Sequence, residues 1–155
     1  MKVIALLFVL FSSIAVRAED LSEVRLLYKQ SARSAEACKK LYVKVEKATT
    51  NQTTLLAYKA SATMMMARYV WNPIDKMKYF KKGKKIMEEA VLNGKENIEV
   101  RFLRWMVQDN LPSFLGYKNN IAEDRSFVLS NLNGLSDQAL KVYISQIVSS
   151  TKLKK

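Results

Sequence analysis

Apolar residues recur along most of the chain at intervals of three and four, the spacing of one side of an α-helix, and no run of strand-type alternation interrupts them. The chain opens with Lys2 and an apolar run from Val3 to Val16, broken only by Ser12 and Ser13. A permanent bilayer span needs about 20 apolar residues, so this run is short for that role. Val16-Arg17-Ala18 then places small residues where a signal peptidase reads, which predicts a cleavable leader over residues 1–18. No cysteine follows closely enough to carry a lipid anchor.

Beyond the leader the pattern predicts six or seven helices. Asp20 and Glu23 are spaced as a capping box ahead of Leu21, Val24, Leu27 and Tyr28. A second helix starts near Ser34, with Cys38, Leu41, Tyr42 and Val45 as its stripe. Thr49 to Thr54 is a polar break. Leu55 to Val70 is apolar nearly all round, as expected of the buried centre of a bundle. Asn72-Pro73 ends it, and Pro73 suits the first turn of a helix running to Leu92. Met77, Phe80, Gly83, Met87, Ala90 and Val91 fall on one side of that helix, and Lys78, Lys81, Lys82 and Lys85 on the other. Another helix covers Ile98 to Asp109. Leu111 to Asn119 is irregular. Asn120 and Glu123 form a second capping box for a helix closed by Gly134, and Ser136 caps the last, with Leu135 and Leu140 as a hydrophobic staple. Tyr58, Ala60, Met65, Phe80, Met87, Phe102 and Leu103 are the expected core.

Composition narrows the chemistry. Loss of Lys2 and Arg17 with the leader takes the net charge of the 155-residue chain from +12 to +10 and leaves enough length for one domain, residues 19–155. Four glycines and two prolines suit long helices and few turns. With no histidine, neither a His-based triad nor a His-containing metal site can be built. One cysteine cannot form an internal disulfide, so after export the fold must stand on packing alone.

Gly83, Met87 and Ala90, followed by Asn93 to Asn97 and a new helix at Ile98, resemble the second helix of a tetratricopeptide repeat (TPR) and its exit turn. Lys95 stands where that family usually has proline, Asn72-Pro73 lengthens the preceding loop, and a strict period of about 34 residues is absent, so the resemblance is TPR-like. The segments AYKASATMMMARYVWNP, KYFKKGKK, NIEVRFLRW and PSFLGYKNNIAED are similar to those of small exported bacterial helical proteins. That resemblance implies an envelope or extracellular location and brings no active-site residues with it.

Candidate sites divide by residue type. Cys38 lies on an apolar stripe, as a buried thiol would. Met64, Met65 and Met66 carry soft ligand atoms, but three consecutive residues point in three directions on a helix, so core packing is the expected role. Glu88 and Glu89 are expected to pair with Lys85 or Lys84. Glu99, on the side carrying Phe102, Leu103 and Met106, suits the helix dipole as a first-turn acid. No catalytic set, metal site or cofactor is expected. Arg101, Arg104 and Gln108 line one side of a helix and Phe114 and Tyr117 follow in the next loop, a combination of the kind protein interfaces use as anchors. Lys78, Lys81, Lys82 and Lys85 form a second candidate, for anionic surfaces. Lysines outnumber arginines 19 to 7, which disfavours bidentate phosphate recognition, and export disfavours nucleic acid.

The expectation is therefore an all-α antiparallel helical array, TPR-like, behind a signal peptide and without a permanent membrane span. As a function, it points to a non-enzymatic module for protein–protein contacts in the periplasm, envelope or extracellular space. The alternative is an accessory protein that binds anionic polymers or lipid headgroups through the lysine face.

Overall fold

The computed structural model describes residues 21–152, and the proposed leader and Asp20 lie outside them. The described residues form seven α-helices and no strand: α1 (21–31), α2 (Ala35–Lys44), α3 (Thr53–Met66), α4 (Pro73–Asn93), α5 (Ile98–Asn110), α6 (Ile121–Asn131) and α7 (Gln138–Lys152). Short 3-10 turns at Ser113–Leu115 and Leu132–Gly134 flank α6. No described helix is long and apolar enough to cross a membrane.

The α3–α4 hairpin is the central unit. Leu56, Ala57, Tyr58, Ala60, Ser61, Ala62, Thr63, Met64 and Met66 of α3 are all buried, as its all-round apolar pattern predicts. Phe80, Gly83, Met87, Ala90 and Val91 make the buried side of α4. The two helices meet at Gly83, where an added Cβ would stand 2.4 Å from Met64 Cγ and 2.9 Å from the Ala60 carbonyl oxygen. Glycine is required there by closeness, not by backbone angle. Of the expected core only Met65 is merely half-buried, while Met64 and Met66 on either side of it are buried.

Several helix ends differ from expectation. α3 stops at Met66, and Ala67, Arg68 and Tyr69 close it with bonds to the third residue back. Asn72 is already extended ahead of Pro73, and its Oδ1 accepts from Ile74 N at 2.9 Å to open α4. Asn120 caps nothing, because its side chain bonds Gln108 instead. α6 ends at Asn131, ahead of Gly134, which closes the 3-10 turn after it. Asp137, and not Ser136, caps α7, with its Oδ1 accepting from Leu140 N at 3.0 Å. Ser34 caps α2 as expected.

Two apolar clusters meet on α5. Val100, Leu103 and Val107 join the cluster of α1–α4, and Phe102 and Trp105 join Val128 of α6 and Leu140, Ile144 and Val148 of α7. Every α5 residue from Glu99 to Trp105 is buried, so this helix is enclosed on all sides.

Candidate functional site

Enclosure of α5 decides what becomes of its polar side chains. α6 lies against the side that carries Arg101, Arg104 and Gln108, and brings Asp124 to the centre of the contact. Asp124, with no solvent exposure, accepts Arg104 Nε at 2.6 Å and Nη2 at 2.8 Å, and also takes Arg101 Nε. Arg101 reaches onward to Glu123 at 2.6 Å and stands over the Phe127 ring. Arg104 Nη1 donates to Glu88 of α4 at 3.1 Å, and the Tyr117 hydroxyl donates to the other Glu88 oxygen. Gln108 exchanges two 3.2 Å bonds with Asn120. This network holds the α5–α6 loop down on α4.

Four of the five residues expected to form a protein-binding patch are therefore interior. Arg101, Arg104, Gln108 and Tyr117 are buried, whereas Phe114 is 84% exposed. The expectation of one shared exposed surface is not met, because α6 covers that side of α5 and the loop folds inward at Tyr117. Burial, reinforced by the Glu88 carboxylate, pushes the Tyr117 hydroxyl well above the usual phenol range. Glu88 also departs from its expected surface pairing with Lys85 or Lys84. Lys84 lies over the Tyr117 ring instead.

A second polar centre ties α1, α3, α5 and α7 together. Arg25 grips Glu99 with two 2.7 Å bonds and reaches Asp137 with a third, and the Tyr58 hydroxyl donates to Glu99 at 2.6 Å. Glu99 thus does more than favour a helix dipole. It joins α5 to α1 and α3, and Arg25 carries the link on to Asp137 at the start of α7. The open cleft beside it, about 300 Å³, is lined by Arg25, Asn97, Glu99 and Asp137 among others. Burial and then the Glu99 charge raise the Tyr58 hydroxyl far above its ordinary range. The backbone N–H of Leu140, then Arg25, hold the Asp137 carboxyl below its own. Every buried side-chain nitrogen and oxygen among the described residues has a hydrogen-bond partner. Cys38 is fully buried against Met66, and burial pushes its thiol up to about 11. Among the described residues no group of three or more His, Cys, Asp and Glu side chains is placed to hold a metal ion.

The surface candidate that stays on the outside is the lysine side of α4. Lys78, Lys81, Lys82 and Lys85 are all exposed. Lys78 pairs with Asp75 at 3.2 Å, and Lys82 lies near the Tyr42 ring and hydroxyl. Two residues that sequence reasoning passed over border this side. Trp71, 97% exposed, precedes α4, and Ile74, 65% exposed, sits in its first turn. A tryptophan directly ahead of the Asn72-Pro73 break was the available signal. No family model matches the chain, and no curated protein or solved structure matches it either.

Proposed function

We propose that this protein is an exported, non-enzymatic helical module that docks through the lysine side of α4 onto an anionic partner. One observation carries the reading: four lysines share an open side of one long helix, while the polar groups of the interior are paired with one another. A row of ammonium groups on flexible stems suits diffuse phosphate or carboxylate charge better than a single fixed anion. Export rests on the apolar run from Val3 to Val16 and the small residues before Glu19. A TPR-like arrangement is supported by the α3–α4 hairpin, closed at Gly83 with Met87 and Ala90 beside it, and by α5 following a short turn. The test is calorimetric titration with a soluble sulfated polysaccharide at low and physiological salt. Binding should weaken steeply with salt, and Lys81→Glu with Lys85→Glu should abolish it without changing the fold. Salt-insensitive binding, or none, would remove the reading.

A second reading, protein–protein contact, is favoured by Phe114, a large aromatic left exposed in the α5–α6 loop. Pull-down from envelope extract with Phe114→Ala and the parent chain separates the two, since that change leaves the lysines intact.

A further inference from the structure

Helical geometry places Ile74, Lys78, Lys81, Lys85 and Leu92 on one stripe of α4, at offsets of four, seven, eleven and eighteen from Ile74. The stripe spans about 27 Å at the rise of an α-helix. All five residues are exposed, and Ile74 and Leu92 are each 65% accessible. Trp71 stands free at the Ile74 end. The opposite side of α4 is committed to the core through Phe80, Gly83, Met87, Ala90 and Val91, so the helix cannot roll that side toward another partner.

We infer that this stripe lies along an anionic lipid surface, with Trp71 and Ile74 entering the headgroup–acyl boundary and the lysines meeting lipid phosphates. The inference rests on the anion-docking reading above and names the anion's source. A soluble polyanion satisfies the lysines but leaves an indole and an isoleucine in water. A bilayer interface takes both kinds of group. Tryptophan favours the headgroup level, lysine stems lie along apolar surface while their charges reach outward, and basic residues are drawn to anionic leaflets. Asp75, Glu88 and Glu89 temper the charge at this side, but Lys82 and Lys84 flank the stripe and the net balance stays positive. Because α4 is already folded and packed, contact is shallow and depends on both the apolar end and the lysines.

The chain carries one other tryptophan, Trp105, which is buried, so the difference between the parent and Trp71→Phe isolates the emission of Trp71. Exported protein is titrated with phosphatidylglycerol vesicles, phosphatidylcholine vesicles and a soluble sulfated polysaccharide. All variants keep the same N-terminus. Phosphatidylglycerol vesicles should move Trp71 emission to shorter wavelength and shield it from acrylamide, whereas phosphatidylcholine should not. Trp71→Ala with Ile74→Ser should weaken vesicle binding about tenfold and leave polysaccharide binding unchanged. Lys81→Glu with Lys85→Glu should weaken both by at least about tenfold. Binding of polysaccharide and vesicles alike with Trp71 still open to acrylamide overturns the lipid inference and keeps the charge reading. Binding of polysaccharide alone does the same. Binding of neither removes both.

Discussion

Arg104→Met tests whether the residues once expected at an interface are structural. The substitution keeps a long side chain but removes three donors: two to Asp124, at 2.6 and 2.8 Å, and one to Glu88 at 3.1 Å. Asp124 is fully buried and Arg104 is 5% exposed, so water cannot replace the lost bonds at Asp124. Removing one partner of a buried ion pair costs about 3–5 kcal/mol, because the remaining charge stays out of water. Asp124 keeps Arg101, which places the expected loss near the lower end, about 3 kcal/mol. At about 2–4 °C per kcal/mol for a chain of this size, the melting temperature should fall by about 6–12 °C. Thermal unfolding followed by circular dichroism measures it. Arg104→Met combined with Asp124→Leu should lose less than the sum of the single changes by at least about 1 kcal/mol, since neither charge is then stranded. A loss below about 1 kcal/mol for Arg104→Met, or strict additivity, would refute the reasoning and return Arg104 to the surface.

Gly83→Ala should destabilise by about 1–3 kcal/mol despite alanine's better helix propensity, because the methyl group meets the α3 backbone at Ala60 as well as Met64. Gly134→Ala, whose Cβ meets nothing within 4 Å, should change stability little, and urea unfolding of the pair measures the contrast. Stability should also fall on the alkaline side. The Cys38 thiol is raised from 9.0 to about 11 by burial, and Tyr58 and Tyr117 are raised above the ordinary 10.0, so the unfolded chain releases these protons first. Their contribution is complete below about pH 9 and is lost as pH rises from there, so urea midpoints from pH 8 to 11 should decline. Finally, N-terminal sequencing of exported protein should begin at Glu19. Retention of residues 3–16 would overturn the leader assignment.

By itself the sequence determined the helical class, the burial of α3 and the inward side of α4, because those follow from local periodicity. Ser34 and Pro73 marked helix starts for the same reason: a cap or a proline acts within one turn. Periodicity could also sort α5 into apolar and polar sides, but it could not say what lies against the polar one. An arginine pointing away from one core reads as solvated unless a second core is known to sit there. Only the tertiary structure decided that α6 delivers Asp124 to Arg101 and Arg104, twenty or more positions along the chain. The same holds for Glu99, whose partners Arg25 and Tyr58 come from two other helices, with Arg25 reaching on to Asp137 at the start of a third. Asn120 lost its capping role to Gln108 because a side-chain amide across a loop competed for it. The lysines of α4 were legible because no other described helix comes to cover them. Trp71 gained meaning only when the fold left it outside. Local rules determine which side of a helix is apolar. Long-range packing decides which polar sides are spent inside the protein and which remain open to a partner.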